Sequence, residues 1–114
     1  MNVLVVEDSA DQAELLRVHL RKAGCDVSLV ESAEDAIVAY TRSPFDLAVV
    51  DLHLPGMNGW ELVSHMKRDR PGLTIAVSSV LDRKEYPDVP LALPKPFTKA
   101  QIRHVVDVAS DGAA

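Results

Sequence analysis

The sequence predicts an α/β domain in which helices cover both faces of a doubly wound, parallel five-stranded sheet. Short apolar runs alternate with longer segments of helical period, and this alternation is typical of repeated βα units. A chain of 114 residues lies in the usual size range of one domain, and 47% hydrophobic residues are enough for one core. We therefore expect a single domain over residues 1–114, with a frayed tail at 109–114.

Five apolar runs are predicted to form the strands. They lie near 2–7, 26–30, 46–51, 73–78 and 91–94. Runs of this length bounded by turn residues are typical of strands that are buried on both faces of a parallel sheet. The fifth run is the weakest, because it holds only three apolar residues before a proline.

Four helices are predicted from capping signals and apolar spacing. The first begins after Ser9, which forms a capping box with the glutamine three residues later, and it ends at Gly24. The second covers 33–42 and the third about 59–69. The last begins at Thr98, where a second capping box precedes a stripe of apolar residues at helical spacing.

The segment from Ser79 to Pro90 departs from this pattern. It has to carry the chain from the fourth strand to a parallel fifth strand in a dozen residues, two of them prolines. Parallel crossovers need about that many residues at minimum. We expect a loop with at most one helical turn, around Asp82 to Tyr86, so that the fourth helix of the regular pattern is short or missing.

Charge and composition argue against several classes of function. The chain has 12 basic and 17 acidic residues and a net charge of −5. The basic residues form no run or stripe, so the chain lacks the basic patch that is typical of nucleic-acid-binding domains. No apolar stretch approaches the length of a membrane span, and the first residues lack the features of a signal peptide. We expect a cytoplasmic domain that contacts neither nucleic acid nor membrane.

Charged side chains follow three of the predicted strands. Glu7 and Asp8 end the first strand, Asp51 ends the third, and Lys95 follows the fifth. The carboxyl ends of parallel strands meet at one edge of the sheet, and open α/β folds place their chemistry there. Three acids and an amine would converge on a pocket that can hold a divalent cation and a phosphoryl group.

These groups suit the transfer of a phosphoryl group to a carboxylate. Asp8 and Asp51 supply the hard oxygen ligands that Mg²⁺ prefers. Glu7 is expected to act through water, and the main-chain carbonyl of His53 to complete the coordination. Lys95 would pair with the incoming phosphoryl group. Attack by Asp51 would then give an aspartyl phosphate.

In combination, these motifs resemble the receiver domain of bacterial two-component response regulators. The matching motifs run in the family's order over nearly the whole chain: Glu7-Asp8, the stretch from Asp51 to Gly59, a serine that ends the fourth strand, and Lys95-Pro96-Phe97. The resemblance implies a flavodoxin-like fold with strand order 2-1-3-4-5 and a cis bond between Lys95 and Pro96. It also implies that Asp51 is the phosphoacceptor, that Glu7 and Asp8 bind Mg²⁺, and that Lys95 is the family's invariant lysine.

The resemblance also implies a hydroxyl group that contacts the phosphoryl group. Ser78, at the end of the fourth strand, matches it best, and Ser79 is the alternative. The implied function is a phosphorelay switch. A sensor histidine kinase or a histidine phosphotransfer protein would phosphorylate Asp51, and the switched surface would bind a downstream protein. The domain would catalyse only its own phosphorylation and dephosphorylation, so it is not expected to be an enzyme with a separate substrate.

Two departures from the family pattern leave an alternative open. Ala92 stands where the family usually has Tyr or Phe, and the short segment from Ser79 to Pro90 removes most of a helix that many receivers use for dimerisation or output. The alternative is a protein-docking module that has the receiver fold but does not switch. An aspartate-based phosphatase is less favoured, because His53 stands where that chemistry needs a second acid. The chain ends after its last helix, like a stand-alone or an excised receiver.

Overall fold

Five parallel strands form one sheet in the order β2-β1-β3-β4-β5, as a computed structural model shows for residues 1–81 and 83–113. Asp82 and Ala114 lie outside the described residues. The strands are β1 (Asn2–Val6), β2 (Asp26–Val30), β3 (Leu47–Asp51), β4 (Thr74–Ser78) and β5 (Leu91–Ala92). The helices are α1 (Ala10–Lys22), α2 (Ala33–Arg42), α3 (Gly59–Asp69) and α4 (Lys99–Ala113). The predicted three-layer fold and its strand order are confirmed.

Both predicted capping boxes begin helices. The Ser9 hydroxyl accepts a hydrogen bond from the Gln12 amide at 3.4 Å. At the start of α4, the Thr98 hydroxyl accepts from the Gln101 amide at 3.2 Å, while the Gln101 side chain accepts from the Thr98 amide at 2.8 Å. These bonds satisfy amide groups that a helix leaves without partners in its first turn.

The sheet separates two apolar clusters. Successive residues of a strand point to opposite faces, so Val3 and Val5 pack with α1 and α4, whereas Leu4 and Val6 pack with α2 and α3. All four of these side chains are fully buried. We call the two sides the α1/α4 face and the α2/α3 face.

The crossover from β4 to β5 contains a single 3-10 turn, at Arg83–Glu85, among its described residues. The prediction of a short or missing fourth helix is therefore confirmed, although Asp82, where the predicted turn begins, lies outside the described residues. Three side chains of the crossover, Leu81, Tyr86 and Val89, pack against the apolar cluster of the α2/α3 face. They cover the part of the sheet that a longer helix would otherwise cover.

Two element boundaries differ from the prediction. The fifth strand was expected over 91–94 but ends at Ala92, although the amides of Leu93 and Lys95 still donate to the carbonyls of Val77 and Ser79. α4 extends to Ala113, into the 109–114 tail that was expected to fray, and the fraying of this tail stays a prediction. Ala109 is only 1% exposed and continues the apolar stripe of α4, so packing extends further along the helix than expected.

None of the helices in the described part of the chain has both the length and the apolar character needed to cross a lipid bilayer.

Candidate functional site

The α1/α4 face of the sheet changes from apolar to polar at its carboxyl edge. Four strands end there in the same way, with a polar side chain placed two residues after an apolar one on the same face. The pairs of apolar and polar residues are Val5 and Glu7, Val49 and Asp51, Ala76 and Ser78, and Leu93 and Lys95. We call the region formed by Glu7, Asp8, Asp51, Ser78 and Lys95 the acidic pocket.

Three carboxylates of the acidic pocket lie close enough to share one cation. One oxygen from each of Glu7, Asp8 and Asp51 lies within 4.8 Å of the others. Glu7 is 3% and Asp51 6% exposed, while Asp8 is exposed at the rim. The Oε2 atom of Glu7 is buried and has no hydrogen-bond partner. A buried carboxylate oxygen without a partner is available to a ligand, and hard oxygens suit a small divalent cation.

Lys95 contributes the positive charge of the pocket. Its Nζ atom donates to Oε1 of Glu7 at 2.7 Å and lies 3.5 Å from Oδ2 of Asp51. The main chain brings it there, because the Lys95 amide donates to the Ser79 carbonyl at 2.9 Å and so continues the contact between β5 and β4. The peptide bond from Lys95 to Pro96 is cis, as the resemblance implies.

Burial and like charge change the titration of Glu7. Burial and, after it, the nearby Asp51 carboxylate raise the pKa of Glu7 from the ordinary value of 4.5 to about 7. Lys95 acts in the opposite direction by favouring the charged form. The pocket thus holds more negative charge than one ammonium group stabilises, which favours the uptake of a proton or a cation.

The loop after β3 fixes the Asp51 side chain from one side. The His53 amide donates to Oδ1 of Asp51 at 3.2 Å. The first residue of α3, Gly59, lies against the same segment: a Cβ atom there would come within 2.3 Å of the Asp51 carbonyl oxygen. Only glycine permits that approach. The exposed imidazole of His53 contacts the Trp60 ring edge to face, and metal binding by the His53 carbonyl stays a prediction.

The two candidate serines have different surroundings. Ser78 pairs in register with Asp51 across β3 and β4, and its hydroxyl oxygen is buried without a hydrogen-bond partner. The Ser79 hydroxyl instead accepts a hydrogen bond from the Leu81 amide at 3.1 Å. Among the described residues, Ser78 Oγ and Glu7 Oε2 are the only buried side-chain polar atoms without a partner, and both face the acidic pocket.

Sequence reasoning missed two aromatic contacts beside this pocket. The Tyr86 hydroxyl donates to the Ser79 carbonyl at 2.9 Å, and the Trp60 indole donates to the Glu85 carbonyl at 3.0 Å. Both contacts anchor the crossover between β4 and β5. The one indication in the sequence was the short crossover, because a short segment has few residues that could anchor it.

Comparison with known proteins links the chain to one family. Residues 3–107 match the model described as the response regulator receiver domain. A response regulator receiver protein of Anaeromyxobacter sp. is 30% identical over 105 residues, which cover 87% of this chain and 44% of that protein. The sensor histidine kinase AruS of Pseudomonas aeruginosa is 40% identical over 76 residues, covering 67% of this chain and 8% of the kinase. The chain thus spans less than half of either curated relative.

A solved structure of similar sequence has the same fold. The crystal structure of a sensor protein from Polaromonas sp. is 32% identical, with a TM-score of 0.89. The match covers 99% of this chain and 98% of the other chain. The similarity therefore includes all the strand ends that form the acidic pocket.

Proposed function

This chain belongs to the response regulator receiver domain family, and from that premise we propose that Asp51 accepts a phosphoryl group with the help of a divalent cation. Receiver domains act in two-component signal transduction, in which phosphoryl transfer and Mg²⁺ are general features of the family. The observation that carries the proposal is the meeting of three carboxylates, from Glu7, Asp8 and Asp51, with the Lys95 ammonium at one edge of the sheet.

The proposed cation is Mg²⁺, and the donor set fits it. The carboxylates of Glu7, Asp8 and Asp51 offer hard oxygens within 4.8 Å of one another, and Oε2 of Glu7 has no other partner. Together with the His53 carbonyl, these three side chains would hold the ion. When bound, Mg²⁺ neutralises charge on phosphoryl oxygens that otherwise repel a carboxylate.

In the proposed step, a carboxylate oxygen of Asp51 attacks the phosphorus atom of the donor. The bond between phosphorus and the donor breaks as the new P–O bond forms, and the leaving group keeps the electron pair. Acetyl phosphate releases acetate, whereas a phosphohistidine releases an imidazole that takes up one proton. Lys95 stabilises charge on the phosphoryl oxygens, and the His53 amide orients Asp51 through its hydrogen bond to Oδ1.

Ser78 is the proposed hydroxyl that reaches the phosphoryl group. Its Oγ has no partner in the unphosphorylated domain, and its strand lies next to that of Asp51. The Ser79 hydroxyl is already engaged with the Leu81 amide. A new charge-assisted hydrogen bond at Ser78 would shift the start of the crossover and so change the surface seen by a partner.

The proposed partners are a phosphorylated histidine and a downstream protein. The histidine belongs to a sensor kinase or to a histidine phosphotransfer protein, and the transfer takes place in the cytoplasm. Support comes from the chemistry of the acidic pocket and from the family. The proposed chemistry is confined to phosphorylation and dephosphorylation of Asp51 itself.

Intact-mass measurement after treatment with acetyl phosphate and Mg²⁺ tests the proposal. We expect the wild-type domain to gain one phosphoryl group, and the Asp51→Asn variant and a sample with excess EDTA to gain none. Asp107→Asn is the matched control, because Asp107 is exposed on α4 and the substitution removes the same charge. Failure of the wild type to gain mass, or an equal gain in Asp51→Asn, would refute the proposal.

The second candidate function is a docking module that keeps the fold but does not switch. Two observations favour it: Ala92 occupies the position where the family usually has an aromatic residue, and the crossover holds only one 3-10 turn among its described residues. Amide hydrogen exchange on the phosphorylated and unphosphorylated forms separates the two functions. Changes over Ser78 to Pro90 support the switch, and exchange that is the same in both forms supports the docking module.

A further inference from the structure

Two aromatic side chains tie the crossover between β4 and β5 to the rest of the protein. The Tyr86 hydroxyl donates to the Ser79 carbonyl, and the Trp60 indole, on α3, donates to the Glu85 carbonyl. The two bonds involve adjacent residues of the crossover. The crossover is therefore held at the 3-10 turn from two directions, one toward α3 and one toward the end of β4.

The Ser79 carbonyl is the point where this anchor meets the acidic pocket. It accepts one hydrogen bond from the Tyr86 hydroxyl and a second from the Lys95 amide, each at 2.9 Å. A carbonyl oxygen has two lone pairs, and both are used here. Ser78, whose hydroxyl has no partner, directly precedes Ser79 in the chain. The main chain of Lys95 is hydrogen-bonded to the Ser79 carbonyl from the neighbouring segment.

The main chain of Lys95 lies beyond the end of a short strand. β5 is only two residues long, and beyond its end the amides of Leu93 and Lys95 donate to the carbonyls of Val77 and Ser79. Among its described residues, the crossover has one 3-10 turn and no long helix to pack onto the sheet.

We infer that Tyr86 is a positioning residue for phosphoryl transfer: its hydroxyl fixes the Ser79 carbonyl and thereby places the Ser78 hydroxyl and the Lys95 ammonium for reaction. Tyr86 itself does not touch the phosphoryl group. The inference rests on the proposed function of Asp51 and adds a role for a residue of the shortened crossover. It also explains how the pocket stays ordered without a full helix beside it.

The chain offers a matched pair of substitutions, since it contains two tyrosines and both donate a hydroxyl hydrogen bond. Tyr86→Phe removes the bond to the Ser79 carbonyl. Tyr40→Phe removes the 2.7 Å bond to the Asp69 carboxylate, which lies on the α2/α3 face away from the acidic pocket. Each change keeps the ring and its packing, so both variants lose one hydroxyl group and nothing else.

The rate of mass gain with saturating acetyl phosphate and Mg²⁺ is the first readout. Displacing reacting groups by a fraction of an ångström slows a reaction severalfold, so we expect Tyr86→Phe to react about 3- to 30-fold more slowly than wild type. Tyr40→Phe should stay within about twofold of wild type. The Mg²⁺ concentration at half-saturation should not change in either variant, because the three carboxylates lie at the carboxyl ends of β1 and β3 and not on the crossover.

A second readout distinguishes positioning from a general loss of stability. Amide hydrogen exchange at Lys95, whose amide shares the Ser79 carbonyl, should become faster in Tyr86→Phe but not in Tyr40→Phe. All rates are measured at a temperature where circular dichroism shows both variants fully folded.

The outcomes separate this inference from the proposed function. If the wild type gains no phosphoryl group, the proposed function of Asp51 fails, and the inference fails with it. If the wild type reacts and Tyr86→Phe reacts equally fast, the inference is overturned and the proposed function stands. An equal slowing of Tyr86→Phe and Tyr40→Phe also overturns it, because the effect then follows stability.

Discussion

The protein buries polar side chains in two regions, and these regions differ in whether the polar atoms have partners. Beneath α2, the Tyr40 hydroxyl donates to the Asp69 carboxylate at 2.7 Å, and the Arg70 guanidinium donates to the Tyr40 carbonyl at 3.1 Å. In the acidic pocket, Oε2 of Glu7 and Oγ of Ser78 have no partner. The buried hydroxyl of the first region thus has a partner within the protein, whereas the second region holds two buried polar atoms without one.

The same contrast appears in the titration of the buried groups. Burial and the hydrogen bond to the Asp69 carboxylate together raise the pKa of Tyr40 to about 12, so the hydroxyl remains a donor at all ordinary pH values. Burial and the nearby Asp51 carboxylate raise the pKa of Glu7 to about 7, where the group titrates under physiological conditions. The Tyr40 hydroxyl therefore keeps its proton, whereas the Glu7 carboxyl can exchange its proton for a cation near neutral pH.

The difference shows how one small domain divides stability from function. A buried polar group with a partner contributes about 1 kcal/mol, and one without a partner costs about 1–3 kcal/mol. Such a cost is tolerated where a ligand later satisfies the group. Substitutions in the acidic pocket should therefore remove ligand binding without loss of stability, and substitutions near Tyr40 should do the reverse.

Asp51→Asn should show the largest effect. Removing one of two buried carboxylates lowers Mg²⁺ affinity by at least about tenfold, as measured by calorimetric titration. Without Mg²⁺, the free energy of unfolding in urea should rise by about 1 kcal/mol, because the repulsion between Asp51 and Glu7 is relieved. The control Asp107→Asn should change neither quantity. If Asp51→Asn were destabilised and still bound Mg²⁺ normally, the proposed difference between the two regions would be contradicted.

The raised pKa of Glu7 leads us to expect that the stability of the fold depends on pH. Its pKa is raised from 4.5 to about 7, so in this window the folded state binds the proton more tightly than the unfolded state. The free energy of unfolding should therefore fall as the pH rises from about 4.5 to about 7. Relative to Glu7→Gln, the loss without Mg²⁺ should be on the order of 1–3 kcal/mol.

Urea unfolding at several pH values checks this difference between wild type and Glu7→Gln. Saturating Mg²⁺ should reduce the pH dependence, because the ion replaces the proton. Curves for the two proteins that run parallel across the whole window would show that the Glu7 carboxyl has an ordinary pKa.

Tyr40→Phe tests the region whose polar atoms have partners. Loss of the hydroxyl leaves the Asp69 carboxylate without one donor, so the free energy of unfolding should fall by about 1 kcal/mol. Mg²⁺ affinity should be that of wild type. A clear drop in Mg²⁺ affinity would mean that the two regions are coupled through the sheet.

Substitutions of the two serines, Ser78 and Ser79, should have the smallest effects. Ser78→Ala removes a hydroxyl without a partner and should change the free energy of unfolding by no more than about 0.5 kcal/mol. Ser79→Ala removes the acceptor for the Leu81 amide and should cost about 1 kcal/mol. Thermal unfolding checks this order of stabilities. Phosphorylation should be slowed more by Ser78→Ala than by Ser79→Ala. A greater slowing in Ser79→Ala would assign the phosphoryl contact to Ser79.

The sequence predicted the strand ends and their charged residues because a continuous apolar run that stops at a charged residue is a local property of the sequence. Asp51 follows a run of apolar residues and therefore ends a strand at the carboxyl edge, and the same holds for Glu7. The capping box at Thr98 is equally local, since both of its partners lie within four residues. The short crossover could be predicted from its length and its prolines alone.

The remaining features depend on contacts between distant segments. The choice between Ser78 and Ser79 rests on the turn to Leu81, which decides which hydroxyl finds an internal partner. The partner of the Tyr86 hydroxyl is set by how the crossover folds back onto β4. The length of α4 depends on tertiary packing as well, since Ala109 near its end is buried against the core.

The location of the phosphoryl group tests the central claim most directly. After treatment with acetyl phosphate and Mg²⁺, borohydride reduction converts an aspartyl phosphate to homoserine, and peptide mass spectrometry identifies the residue that has changed. We expect homoserine at position 51 alone, and no homoserine when Mg²⁺ is removed. Homoserine at position 8 or at another acid, or labelling that does not depend on Mg²⁺, would contradict the assignment of Asp51 as the phosphoacceptor of the acidic pocket.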